Sequence, residues 1–262
     1  MKVPLPVRAV PSLTFQAWLT PPPIGSRTLA RDREAIADLM SFQVGDVGGF
    51  ELGSGPLVLA LHGWGGRPAQ MTALARALAH AGYRVMIPEL PGHAGGETTD
   101  IKQAAAAVRA LIDAVGEPMA VVGHSFAAMV MRLAFLEEAP SSVVLIAPAL
   151  NVKDALRVFG DKLRLFPWAR RGLARRLEVW DESLWPVVSS VYPNQMSEAE
   201  ILIVHDPEDT ETSFPRSAEL AAIRPATELV ISAGSGHNGI LTDEAAIERV
   251  VRFLVRESVP GY

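Results

Sequence analysis

Cysteine is missing from the chain altogether, so disulfides, cysteine-ligated metals and a thiol nucleophile are excluded, and a reducing compartment is compatible with the sequence. No apolar run reaches the roughly 18 residues that a membrane-spanning helix needs. No arm of clustered Lys and Arg flanks the chain, and the net charge is only -5; a nucleic-acid partner is therefore not expected. Internal repeats and low-complexity tracts are also absent. His62, His80, His93, His124 and His205 are scattered without a carboxylate cluster, which leaves no expected metal site and no sign of a cofactor. His62 and His124 read as loop-orienting residues. His80 sits near a helix C-terminus, where a cation is mildly favoured, and His93 and His205 read as loop residues.

About half of the 262 residues are apolar, enough for a sizeable core within one α/β unit. Residues 7–19, following Lys2, have the outline of a weak export signal. Pro11 and Gln16 interrupt it, so the stretch is expected to be part of the fold, in a cytoplasmic protein with secretion as the alternative. Pro21, Pro22 and Pro23 end any helix begun there, and residues 31–40 suit a short helix. Residues 42–44 and 49–52 read as an antiparallel hairpin turning around Gly48 and Gly49.

From Pro56 onward, strands and helices alternate. Leu57–Leu61 is a continuous apolar run, as a parallel strand buried on both faces requires. Met71, Leu74, Ala75 and Leu78 share one helix face, which Gly82 ends. Residues 83–87 form the next strand. Asp100 stands at an N-cap position with Gln103 three residues later. Strands at 118–122, 143–146, 201–204 and 228–232 and helices at 127–136, 217–223 and around 247–255 complete the pattern. It predicts a mostly parallel sheet with helices on both sides and a site at the carboxyl ends of its strands. Residues 1–40 are expected to be an extension packed on the core, 41–150 and 198–262 the core, and 151–197 a helical lid. The lid segment holds Trp168, Trp180 and Trp185. Between residues 151 and 180, eight Lys or Arg stand against three Asp or Glu. A solvated face is the ordinary reading of that excess; anionic substrates or an acidic membrane surface are the alternatives.

Gly123-His124-Ser125-Phe126-Ala127 falls between a strand and a helix and nearly matches G-x-S-x-G, the sharp turn that projects a nucleophilic serine from a sheet. A serine hydroxyl needs a base that a carboxylate orients. Both follow in order at later strand ends: Asp209 within His205-Asp206-Pro207-Glu208-Asp209, and His237 within Gly234-Ser235-Gly236-His237. His62-Gly63-Trp64-Gly65-Gly66, after Leu57–Leu61, suits an oxyanion hole. The backbone N–H of Trp64 and that of Phe126 are its expected donors.

Together with Leu90-Pro91-Gly92-His93-Ala94-Gly95-Gly96, these motifs resemble the α/β-hydrolase superfamily, from about residue 42 to the C-terminus. The likeness is to bacterial esterase-like members with a compact helical lid. It implies a Ser125–His237–Asp209 triad, since the family's acid follows the strand after the lid, in preference to Asp206 or Glu208. Ala127 replaces the usual last glycine, and Glu89 stands where Asp is frequent. The expected activity is cleavage of a carboxylic ester of a small acyl substrate. Other acyl chemistry (thioester, amide, carbon–carbon hydrolysis or acyl transfer) and a ligand-sensing role on the same fold are the alternatives. The lid aromatics Trp168, Trp180 and Trp185 are candidate pocket residues. The sequence is silent on acyl length and oligomeric state.

Overall fold

The structure, a computed structural model, describes residues 10–93, 95, 97–136, 139–182, 184–189 and 199–258. Lys2 and the start of the apolar stretch after it, positions 94 and 96 of the glycine-rich segment, and the end of the expected lid at 190–197 lie outside the described residues.

Eight strands form one sheet: β1 (Met40–Val44), β2 (Val47–Leu52), β3 (Leu57–Leu61), β4 (Arg84–Pro88), β5 (Ala120–His124), β6 (Ser142–Ile146), β7 (Glu200–His205) and β8 (Thr227–Ile231), in the order β1-β2-β4-β3-β5-β6-β7-β8. β1 and β2 pair antiparallel, β2 runs antiparallel to β4, and all other pairs are parallel. The central strands are built mainly of Val, Leu, Ile and Ala and are buried along almost their whole length. Strands covered on both faces need that pattern.

The chain enters through α1 (Val10–Leu19) and α2 (Ser26–Ile36). α3 (Thr72–His80), preceded by a 3-10 turn at Pro68–Met71, packs on one sheet face. α4 (Ile101–Val115) and α5 (Ala127–Ala134) pack on the other. Asp100 caps α4 as its sequence suggests: its carboxylate accepts from the N–H of Lys102 and Gln103 at 2.8 Å, and the Gln103 side chain accepts from the Asp100 N–H at 3.2 Å. Such a cap is worth about 1 kcal/mol. α6 (Val152–Lys162), α7 (Pro167–Trp180) and α8 (Leu184–Ser189) form an insertion between β6 and β7. α9 (Phe214–Ile223), the single turn α10 (Gly236–Gly239) and α11 (Glu244–Ser258) follow, and α11 joins α3 on its face.

One expectation changes. The hairpin turns at Gly45, whose φ of +55° suits glycine, while Gly48 and Gly49 lie within β2. Gly49 is needed there because a Cβ would meet the Ile87 carbonyl and the Phe42 ring, at 2.4 and 2.7 Å. Within the N-terminal extension, α1 rests on the insertion, while α2 meets the core, where the Asp32–Arg67 and Asp38–Arg76 ion pairs join the extension to it. Phe15 packs with Leu173 and Leu177 of α7, and the Trp18 and Phe159 rings meet edge-on at 5.1 Å.

The insertion is tied to the core at both ends. Asn151 caps α6 through Lys153 N–H at 2.8 Å and donates to the Ser189 carbonyl at 2.7 Å. Arg132 of α5, fully buried, donates to the Leu150 carbonyl at 3.2 Å and to the Val187 carbonyl.

Candidate active site

Ser125 lies directly after β5 in a left-handed conformation, φ +54°. That geometry costs a non-glycine residue roughly 1–3 kcal/mol. It is held by three backbone hydrogen bonds: the Ser125 N–H donates to Ile146 O at 3.0 Å, and Ser125 O accepts from Ala149 N–H at 3.0 Å and from Ala128 N–H at 3.1 Å. Gly123 makes the tight crossing possible, since a Cβ there would meet Met131 Sδ at 2.2 Å. With the closest approach made by Gly123, the methyl of Ala127 fits into the core, fully buried.

The structure brings Ser125, His237 and Asp209 together. His237 Nε2 is 3.0 Å from Ser125 Oγ, and His237 Nδ1 is 2.7 Å from Asp209 Oδ2. An ionised Asp209 accepts from Nδ1–H, which leaves Nε2 free to accept from the serine hydroxyl. The Asp209 carboxylate is fully buried and also accepts from the N–H groups of Glu211 and Thr212, at 2.7 and 3.1 Å, and from Thr212 Oγ1 at 2.8 Å. Burial pushes its pKa up, but hydrogen bonds from His205 and His237 outweigh that and hold it below the ordinary carboxylate range.

His205 departs from its expected place. It is the last residue of β7, fully buried, with Nε2 3.3 Å from Asp209 Oδ2 and Nδ1 2.8 Å from Ser217 Oγ. Asp206 turns its carboxylate away from the imidazole: Oδ1 accepts from Glu208 N–H at 3.0 Å and Oδ2 from Gly236 N–H at 2.6 Å. The second bond reaches across to the loop that carries His237. His124 holds the same loop, donating from Nε2 to the His237 carbonyl at 2.9 Å. Burial, and after it the neighbouring His237, lowers the His124 pKa to about 3, so the ring is a neutral donor near pH 7. His62 donates from Nδ1 to Gly63 O at 3.0 Å and accepts from Leu90 N–H at 3.1 Å. His93 is buried against it, with ring centroids 5.0 Å apart.

The glycine-rich loop after β3 lies against the serine, and a Cβ on Gly63 would meet Ser125 Cβ at 3.0 Å. Pro22 closes on Gly65 from outside. Trp64 and Phe126 meet edge-on at 5.1 Å, and among the described residues no acceptor takes the N–H of either.

A cavity of about 210 Å³ opens above Ser125 and His237. Its walls are mainly apolar: Trp18 of α1, Met129 of α5, Phe159 of α6, Trp180 of α7 and Trp185 of α8 are among them. Trp168 is not among the lining residues. It is 41 % exposed and stacked on Phe166, with centroids 6.4 Å apart, because helical spacing puts it opposite the face α7 buries through Ala169, Leu173 and Leu177. Sequence reasoning missed Trp18, for which it holds no signal. It also missed Glu211, which lines the cavity with Oε2 3.9 Å from His237 Nε2 and 2.7 Å from Lys162 Nζ.

The profile of the Alpha/beta hydrolase family matches residues 57–253. The chain belongs to that family. Among solved structures, this α/β-hydrolase resembles a candidate lipase from Acinetobacter baumannii at 19% identity and a TM-score of 0.66, over 90% of this chain and 97% of that one. Est1E from Butyrivibrio proteoclasticus is similar at 17% identity and a TM-score of 0.61, over 83% and 98%. A butyrate-bound thermophilic esterase from the planctomycete Thermogutta terrifontis follows at 16% identity and a TM-score of 0.64, over 83% and 94%. At these identities the likeness is one of fold. No curated protein sequence matches the chain. No helix among the described residues is long and apolar enough to cross a membrane.

Proposed function

We propose that the protein hydrolyses a carboxylic ester through an acyl-enzyme on Ser125. The observation that carries this reading is the hydrogen-bonded chain from Ser125 Oγ through His237 to the buried Asp209 carboxylate, set beneath an apolar cavity. Ser125 Oγ attacks the ester carbonyl as its proton passes to His237 Nε2. The same nitrogen then gives that proton to the departing alkoxide. Asp209 fixes the imidazole tautomer and stabilises its charged form. The N–H groups of Trp64 and Phe126 stabilise the developing oxyanion. Water, deprotonated by His237, then releases the acid. In this reading α6–α8 act as a lid, and the acyl group lies among Trp18, Phe159, Trp180 and Trp185.

A fluorophosphonate probe should label the intact protein and not Ser125→Ala, and p-nitrophenyl esters should be turned over with a kcat that this substitution lowers by about 10⁴–10⁶. Near-native turnover by folded Ser125→Ala protein would sink the mechanism. Labelling without turnover of esters of any acyl length would instead move the assignment to another acyl chemistry or to ligand sensing.

A further inference from the structure

The basic and aromatic surface of the insertion is not used by the chemistry above. Residues 151–180 carry an excess of five positive charges in a chain of net charge -5, so the remainder holds an excess of ten negative ones. This segment is thus a basic stretch in an otherwise acidic chain. On α7 the inward stripe is Ala169, Leu173 and Leu177. Its outward stripe, at matching helical spacing, is Trp168, Arg171, Arg175 and Val179, all exposed.

The turn leading into α7 extends this surface. Leu163 is 48 % exposed and Phe166 69 %, the latter stacked on Trp168. Several basic groups nearby have partners: Arg170 pairs with Asp161, Lys162 pairs with Glu211, and Arg176 lies over the Phe15 ring. Those of Arg164, Arg171 and Arg175 make no ion pair among the described residues. Three guanidinium groups without an ion pair and four exposed apolar side chains, Leu163, Phe166, Trp168 and Val179, therefore share this turn and helix face.

We propose that this edge, the α6–α7 turn with the outer stripe of α7, seats the protein on an anionic lipid surface. Aromatic rings and long-stemmed cations suit the headgroup boundary, where the apolar part enters the acyl region and the charge stays with the phosphates. Each Arg near an anionic membrane adds to the attraction. The turn adjoins the cavity at Lys162, the end of α6, while Leu177 and Trp180 line the cavity from the inward face of α7. Docking in this orientation places the outer side of the insertion on the lipid, with the cavity behind α7.

The test is flotation with extruded vesicles, scored without turnover, so that its outcome is separate from that of the ester reading. The intact protein should float with vesicles of phosphatidylglycerol and phosphatidylcholine and remain behind with phosphatidylcholine alone. R171E/R175E and F166S/W168S should each lower partitioning by about tenfold or more, with the thermal midpoint and the turnover of a short soluble ester unchanged. Should a double variant fail to fold, brominated acyl chains on intact protein should quench a fluorescence component that Trp168→Phe removes. Equal flotation on both vesicle types, flotation that survives either double variant, or no Trp168 quenching would overturn the proposal. So would lipid-independent dimerisation that both variants dissolve, since the edge would then serve a second copy of the chain.

Discussion

Five groups from four residues lie within 3.3 Å of the Asp209 carboxylate, and this crowding separates it from its neighbours in the same turn. Asp209→Asn presents an amide that favours the wrong imidazole tautomer, and kcat for an ester should fall by about 10³–10⁴. Asp206→Asn removes part of a loop-to-loop clamp while leaving Asp209 in place, so its kcat should fall far less and its melting temperature more. The reverse order in steady-state kinetics would move the acid to Asp206. His205 acts through Asp209. A hydrogen bond to a charged group is worth about 1.5–3 kcal/mol, so His205→Leu should lower kcat about tenfold or more with KM unchanged and slow fluorophosphonate labelling in parallel. A change in KM alone would make His205 a packing residue only.

Helices, more than single residues, decide what enters the cavity. α1 belongs with the insertion by its contacts, and it delivers Trp18 to the same wall as Trp180 and Trp185. Replacing Trp18 or Trp185 with Ala should therefore change the preference among p-nitrophenyl esters of different acyl length, whereas Trp168→Ala should leave it unaltered. Identical chain-length profiles for all three variants would show that the cavity does not hold the acyl group. Arg132 and Asn151 both anchor the insertion, and Arg132 is the buried charge of the two. Arg132→Met leaves the carbonyls of Leu150 and Val187 without that donor, at a cost of about 2 kcal/mol or more. The urea midpoint should drop accordingly, and protease should cut first within 151–189.

The whole molecule should be acid-labile, and the sign follows from its buried titrating groups. His124 and His93 have pKa values near 3 and 4 in the folded state, both lowered first by burial, against about 6.5 in an unfolded chain. Between those limits the unfolded state binds more protons, so stability is lost as pH falls from about 6.5 toward 4. Asp206 and Asp243, whose pKa values are lowered chiefly by hydrogen bonds to their carboxylates, add a loss of the same sign below about 4. Urea midpoints should fall steadily from pH 7 to pH 4, and His124→Gln should flatten that slope. A stability maximum near pH 5 would contradict the buried neutral imidazoles.

Much of the fold was legible in the residues themselves. A strand buried on both faces must be apolar throughout, so Leu57–Leu61 stands out, and a cap must place Asp and Gln three apart, as Asp100 and Gln103 do. The strand-end positions of Ser125, Asp209 and His237 follow from that alternation, together with small residues where a turn must be tight. What tertiary structure decided are relations between distant segments that have no local signature. Trp18 reaches the cavity only because α1 lies on α7, and Trp168 leaves it because packing, not composition, chooses which helix face is buried. His205 became a partner of Asp209 because β7 runs one residue further than its apolar run suggests and ends beneath the carboxylate. The hairpin turned at Gly45 because Gly49 was needed for the close approach of Phe42 and Ile87, a contact between strands that the order of residues along the chain does not reveal.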